Sequence, residues 1–464
     1  MLLIPLYANY LGKIDYANLV MLQSYFGLIS IFTGLNAGVF FYYYEYNNEK
    51  YRKITLTSWF YYEVIVFFAL FLITFFFSSS ILGLFITNAE NKSDLTLALI
   101  LITVQLIPFI FNNTNMNFFR IQRKPKPVVV IVFLEALFTL ILVFLVLKFT
   151  AYKLTGVVVM QIVARLLVSL IFFDKSKFYL NIYYFSKKLL SRMFAYSWPF
   201  IMSMLLSWMV IYSDKFIGVQ LLSDKNEVAY LALATQLLIP LTVLADMIRM
   251  ALGPYVMSVR SNDDANQGYQ KIFDLTIYAA SIVAVLVISF SPILILILSN
   301  ESFMKSFLVI PLFAIAQVIS LGSNQFGVSF SLVKKTKYIF YSVLISVVIG
   351  VTFNSIFMPY LGFVSAGFAQ ILSYFFASLF LFYFGRKHAK LETRINNAVL
   401  IFAQVIVFSM FTLISVHHFE VYSSIYYVSF GILFCLMLSF TFLTNEKIRV
   451  NVLLSGLKQK IKEL

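Results

Sequence analysis

Charge is what this chain most lacks. Of 464 residues only 12% are Asp, Glu, Lys or Arg, whereas 61% are hydrophobic. A soluble domain carries about 25% charged residues, and a chain of this length cannot enclose so much hydrocarbon in its own core. Lipid is the solvent that accepts it. Cysteine is nearly absent: Cys435 stands alone inside an apolar run, which excludes a disulfide within the chain. Histidine is scarce as well. His388, His417 and His418 offer one adjacent pair and no metal-ligand spacing, so the pair is read as incidental and no metal or other cofactor is expected. No basic leader precedes the opening Leu2-Leu3-Ile4-Pro5, so no cleavable signal peptide is visible.

Long polar segments are missing too. Apolar stretches of about 20 residues, each filling roughly 30 Å of hydrocarbon when helical, recur along the whole chain. They predict helices at 1–11, 17–44, 54–86, 95–119, 127–147, 154–173, 195–222, 228–252, 272–298, 304–332, 338–357, 360–384, 397–417 and 422–443. Their unbroken apolar character excludes a transmembrane β-barrel, whose strands alternate apolar and polar residues. The expected fold class is all-α: a polytopic membrane protein of about fourteen helices, the first one short.

Basic residues outnumber acidic ones, 35 to 20, for a net charge of +15. Nucleic acid is one partner such a balance suggests, but position decides against it. When alternate loops are assigned to opposite sides, 27 Lys and Arg residues fall on one side and seven on the other, with Arg165 left inside a helix. That bias in short loops is the positive-inside signature, with both termini cytoplasmic.

A constant offset of 211 residues recurs. It carries Arg123, Lys124 and Lys126 onto Lys334, Lys335 and Lys337, Leu11 onto Leu222, Gly156 onto Gly367 and Lys175 onto Arg386. Two six-helix lobes of equal orientation follow, 1–193 and 194–396, with 397–464 adding helices thirteen and fourteen and a cytoplasmic tail. Two such lobes rocking about a central cavity give alternating access. The offset also places the start of helix one some 16 residues before Met1. The first helix is therefore expected to be truncated, with an in-frame extension upstream completing it.

Short motifs then come in a particular order. Ile4-Pro5-Leu6-Tyr7, Tyr10-Leu11-Gly12 and Asp15-Tyr16 open the chain. Tyr196-Ser197-Trp198-Pro199, Tyr212-Ser213-Asp214-Lys215-Phe216 and Glu227-Val228-Ala229-Tyr230 follow, and Pro254-Tyr255 ends helix eight. Lys334-Lys335-Thr336-Lys337, Asn354, Pro359-Tyr360-Leu361-Gly362 and Ala366-Gly367 complete the set. Together they resemble the Wzx-type polysaccharide flippases of the MATE-like multidrug/oligosaccharidyl-lipid/polysaccharide exporter superfamily, over nearly the whole chain. The resemblance implies a flippase, not an enzyme. Its cargo would be an undecaprenyl-pyrophosphate-linked oligosaccharide, an O-antigen, capsule or exopolysaccharide repeat unit, moved from the cytoplasmic to the periplasmic leaflet of the inner membrane. Its partners would be the lipid-linked oligosaccharide, the bilayer, an O-antigen polymerase and a chain-length regulator. Such a task asks for a wet cavity for sugar, cations for pyrophosphate and a lateral gap for lipid, which helices thirteen and fourteen could line.

Ionisable groups inside hydrocarbon cost about 2.5–3.5 kcal/mol each and so mark a cavity or a partner. Glu63, Glu135 and Arg165 lie deepest, roughly 12–14 Å from the cytoplasmic helix ends. Glu135 and Arg165 sit on an antiparallel hairpin where they could meet, either as a structural pair or with substrate phosphate competing for Arg165. The planar fork of Arg suits phosphate. Glu63 or Glu135 could carry a coupling proton. Asp214 and Lys215 need not pair, since helix neighbours point about 100° apart. Lys215 either snorkels to the outer headgroups or, as the resemblance implies, functions. Asp246 and Arg249 form a local ion pair or capture pyrophosphate. Arg120 follows the polar run Asn112-Asn113-Thr114-Asn115-Met116-Asn117, which either lines water or breaks the helix. The substrate-binding candidates are thus Arg165, Lys215, Arg249 and Arg120, and the coupling or ion-pair candidates Glu63, Glu135, Asp214 and Asp246.

Two rivals stand beside this reading. A small-molecule exporter of the same fold would favour acidic cavity residues. A polytopic O-antigen polymerase or acyltransferase would usually carry a large basic periplasmic loop, and every outer loop here is short.

Overall fold

The computed structural model describes residues 3–35, 38–39, 42–43, 48–85, 92–122, 124–150, 152–173, 179–245, 247–248, 265–332, 335, 337–388, 395–419 and 424–444, and every regular element among them is helical. In chain order these are α1 (Ile4–Tyr10), α2 (Gly12–Ile31), α3 (Glu49–Phe76), α4 (Ser78–Phe85), α5 (Lys92–Val104), α6 (Leu106–Ile121), α7 (Pro125–Phe149) and α8 (Leu154–Ile171). There follow α9 (Lys187–Leu221), α10 (Asn226–Leu237), α11 (Ala265–Leu298), α12 (Ile310–Leu332), α13 (Lys337–Leu361), α14 (Ser365–His388), α15 (Asn396–Phe419) and α16 (Ser424–Thr444). Each of the fourteen apolar intervals read from the sequence contains a described helix. Among the described residues nine helical stretches are long and apolar enough to cross a membrane, one of them the 52-residue stretch Lys337–His388. That stretch is α13 and α14 together. Two further helix pairs, bent by 44° and 46°, also qualify when each is taken as one span. The chain is a multi-pass membrane protein.

Local chemistry sets the breaks. Leu11 ends α1 with its N–H on Tyr7 O, and Gly12 then takes φ 77°, a left-handed conformation that residues with a Cβ resist. The same Tyr-Leu-Gly triplet ends α13, where Gly362 takes φ 61°. Asn48 and Ser186 cap α3 and α9 by accepting backbone N–H groups, and Lys225 Nζ closes the far end of α9 by donating to Val219 O (2.6 Å) and Leu222 O (2.8 Å). Burial lowers the pKa of that ammonium.

The chain divides into two compact units, Leu2–Ala229 and Tyr230–Leu464. In the first, the 35-residue α9 runs antiparallel to α2: Trp208 Nε1 donates to Ser24 O (3.0 Å), and farther along Gly38 N donates to Ser197 Oγ (2.9 Å). A Cβ at Gly38 would stand 2.7 Å from Met193 O. The lobes expected from the offset part at 193/194 whereas the two units part at 229/230, so α9 from Phe194 on and the first residues of α10 fall differently in the two divisions.

In the second unit α14 lies against α12 and α13, with Gly367 on Leu312 and Gly350 on Ser373. The last helix packs on α11, where Tyr278 stacks on Phe442 at 4.1 Å and Gly431 sits on Ser289. Lipid tails are as apolar as the helices, so close packing at small residues, not hydrophobic exclusion, holds such helices together. Three of these close approaches, Gly38–Ser197, Gly350–Ser373 and Gly431–Ser289, pair a glycine with a serine.

Candidate functional site

The polar run of α6 is not broken, and most of it is buried among neighbouring helices. The helix stays intact through it, and the break falls earlier, at Gln105. Asn112, Thr114, Asn115 and Asn117 are each at most 1% exposed. Polar groups buried this deeply need partners, because an unsatisfied one costs roughly 1–3 kcal/mol. Neighbouring helices supply them. Asn112 Nδ2 donates to Glu135 Oε1 on α7 (2.5 Å) and to Arg165 O on α8 (3.1 Å), while its Oδ1 accepts from Ser169 Oγ (2.9 Å). Tyr179 OH donates to Asn115 Oδ1 (2.9 Å).

Glu63 is wholly buried on α3. Its Oε2 accepts from Thr114 Oγ1 (2.9 Å) and its Oε1 from Asn113 Nδ2 (3.5 Å). The amides continue along α6: Asn117 Nδ2 donates to Asn113 Oδ1 (3.2 Å), and Arg120 Nη1 to Asn117 Oδ1 (3.3 Å). Arg120 itself is exposed at the end of α6.

Glu135 and Arg165 do come close, but they form no direct ion pair: Glu135 is held by Asn112, and its charge acts on the guanidinium through space. The Arg165 guanidinium lies over two aromatic faces, Phe26 (4.8 Å) and Phe109 (5.7 Å). Its Nη1 is shut from solvent and has no acceptor. This is a cation with a spare donor in an aromatic clamp.

Asp214 and Lys215, which need not pair as helix neighbours, do pair here. Both are 1% exposed, so Lys215 does not reach the headgroups. Asp214 Oδ1 accepts from the Lys215 backbone N–H (2.8 Å) and lies 3.3 Å from Lys215 Nζ, whose stem bends back toward Ile211 O (3.4 Å). Folding back over the backbone lets sequence neighbours pair despite the 100° between them. Asp214 Oδ2 has no partner. Asp246 and Arg249 lie outside the described residues.

Sequence reasoning passed over Phe26, Phe109 and Ser169, which carry no signal among so many apolar and small residues. It also passed over Asp274, for which a signal existed. The offset of 211 takes Glu63 to Asp274 and Thr114 to Gln325. Asp274 and Gln325 are 2% and 1% exposed. Gln270 Nε2 donates to Asp274 Oδ1 (3.1 Å), and Gln325 Nε2 donates to Thr276 Oγ1 (3.1 Å). Each unit thus buries a carboxylate, at positions 211 residues apart.

The described residues thus form a helical membrane protein with cations and carboxylates buried in its spans, and its fold is shared by several solved transporters. The lipid II flippase MurJ, in an inward closed conformation, shares the fold with TM-score 0.75 over 95% of this chain and 95% of that one, at 18% identity. An inward-facing multidrug resistance MATE family transporter of the MOP superfamily matches with TM-score 0.69 over 84% and 93%, at 14% identity. A MOP superfamily transporter from Pyrococcus furiosus matches with TM-score 0.58 over 83% and 90%, at 13% identity. No curated protein sequence matches. The family described as polysaccharide biosynthesis protein matches residues 1–260, and this chain belongs to it.

Proposed function

We propose that the chain is a flippase that moves an undecaprenyl-pyrophosphate-linked oligosaccharide repeat unit from the cytoplasmic to the periplasmic leaflet of the inner membrane by alternating access. Membership of the polysaccharide family and the MurJ-like fold support the class. One observation carries the substrate chemistry: Arg165 presents a buried donor without an acceptor while its nearby carboxylate is bound by Asn112. A buried cation left in that state is stabilised by an anion, and the bidentate fork of Arg fits a phosphate. The two rocking bodies would be the six-helix halves 1–193 and 194–396, with 397–464 lining the lipid gap. The equivalence of Glu63 with Asp274 supports that repeat, and Glu63 is the carboxylate best enclosed to carry a coupling proton. The 27-to-7 split of basic residues supports cytoplasmic termini. An O-antigen polymerase and a chain-length regulator would receive the product.

The test is genetic. In cells lacking their own flippase for the repeat unit, the wild-type chain restores surface polysaccharide. Arg165→Lys keeps the charge but loses the fork, and export falls at normal membrane levels. The exchange Glu135→Arg with Arg165→Glu restores protein level but not polysaccharide. Normal export in both variants would leave Arg165 structural. Efflux of small cations with no effect on polysaccharide would instead make the chain a drug exporter.

A further inference from the structure

Four side chains form a line whose hydrogen bonds all point one way. Arg120 Nη1 donates to Asn117 Oδ1 (3.3 Å), Asn117 Nδ2 to Asn113 Oδ1 (3.2 Å), and Asn113 Nδ2 to Glu63 Oε1 (3.5 Å). Residues 113, 117 and 120 recur at i, i+4 and i+7, so one stripe of α6 carries the line from a buried carboxylate to an exposed cation. Each amide turns its NH2 toward Glu63 and its carbonyl toward Arg120. That polarity suits an ionised carboxylate, which only accepts, at one end and a guanidinium, which only donates, at the other.

We infer that Asn113 and Asn117 are positioning residues that couple the charge on Glu63 to the freedom of Arg120, so that protonation of Glu63 releases the guanidinium to an anionic head group.

The surroundings of Glu63 favour transmission along this line. Thr114 and Asn113 reach it from α6, the segment around Tyr179 places its phenol on Asn115, and α9 sets Phe194 against Tyr62. The Tyr62 phenol donates to Phe32 O (2.9 Å). None of these groups is charged at neutral pH. Arg52 and Lys53 share α3 but lie roughly three turns away, Lys53 paired with Glu49 and Arg52 over the Tyr43 ring. Arg120 is the cation the amides reach. A proton placed on Oε1 needs an acceptor, so Asn113 turns its carbonyl inward and Asn117 follows. Arg120 then faces an NH2 group and leaves. A proton placed on Oε2 is met by the Thr114 hydroxyl, and it still removes the negative end that holds the line together. The first route reverses the line and frees Arg120, while the second only weakens its hold. By reciprocity, an anion that draws Arg120 away makes Glu63 easier to protonate.

The use of the freed guanidinium rests on the transport reading above, but the coupling can be measured without it. The full-length protein in lipid nanodiscs is titrated by infrared spectroscopy, with the Glu63 carboxyl stretch identified by its loss in Glu63→Gln. Arg120→Gln, an exposed change that leaves the fold alone, moves the midpoint up by roughly half a pH unit or more. Asn117→Leu does the same, and the double variant goes no further than either single one. An unmoved midpoint in Arg120→Gln overturns the coupling. So does a double variant whose shift is the sum of the two.

A second arm measures binding of geranyl pyrophosphate. Wild-type affinity rises as pH falls, by roughly fivefold, and is flat with pH in Asn117→Leu and Glu63→Gln. Should Arg120→Gln move the midpoint while the wild type binds no pyrophosphate at any pH, the coupling stands and the transport reading falls.

Discussion

Asn112 Nδ2 lies 2.5 Å from Glu135 Oε1 and 3.1 Å from the carbonyl oxygen of Arg165, so one amide stands between two residues that sequence alone would pair directly. The asparagine donates to one carboxylate oxygen and to the backbone of α8, and Arg165 Nη1 is left without an acceptor. Asn112→Ala leaves Glu135 without its donor. The expected loss is about 1–3 kcal/mol of stability, read as a lower midpoint of thermal unfolding in detergent. Glu135→Gln added to that variant recovers part of the loss, because a neutral amide tolerates the site better than an unpaired carboxylate.

The fold was more legible than the site. Lipid imposes a length and an apolar composition on every span, so the helices could be read from hydropathy, and each predicted interval holds one. The break at Phe77 carried no Pro or Gly and was missed; the break at Gln105 was missed although Pro108, which has no N–H for Val104 O, follows three residues later. In the site, polarity alone did not say whether the Asn112–Asn117 run faced water or other side chains. That depends on Glu63, Glu135 and Tyr179, which arrive from other helices. Of the two readings of Lys215, snorkelling is the one its burial disfavours, because a long stem can bend back as easily as outward. Asp274 was within reach, since applying the repeat to Glu63 finds it.

Asp214 and Lys215 form a buried pair of neighbours, and removing one partner of such a pair typically costs about 3–5 kcal/mol. Lys215→Met is therefore expected to reduce folded protein sharply. Asp214→Asn with Lys215→Met restores much of it, since no buried charge is then left alone. Fluorescence-detected size exclusion at a series of temperatures measures the difference.

Gly38 admits no side chain, because its Cβ would press on Met193 O at 2.7 Å, an atom of the α9 backbone. Gly38→Val is expected to cost about 1–3 kcal/mol through displacement of α9. Gly83 has nothing within 4 Å of its Cβ position, so Gly83→Ala serves as the tolerated control. Comparing melting temperatures of the two variants tests how tight the contact between Gly38 and α9 is.

Membrane topology has its own test. The charge split predicts that His388 is cytoplasmic and His417, one helix later, periplasmic. Reporter fusions at the two positions should give opposite signals, and equal signals would remove a helix from the count.

The central claim is movement of a pyrophosphate-linked oligosaccharide lipid, and reconstitution tests it most directly. The purified chain is placed in liposomes with a fluorescent polyprenyl-pyrophosphate oligosaccharide confined to one leaflet. A membrane-impermeant sugar-binding quencher then reports arrival in the other. The expected result is quenching that depends on the wild-type chain and is lost with Arg165→Lys. Quenching no faster than in protein-free liposomes, or equal in wild type and variant, would contradict the account.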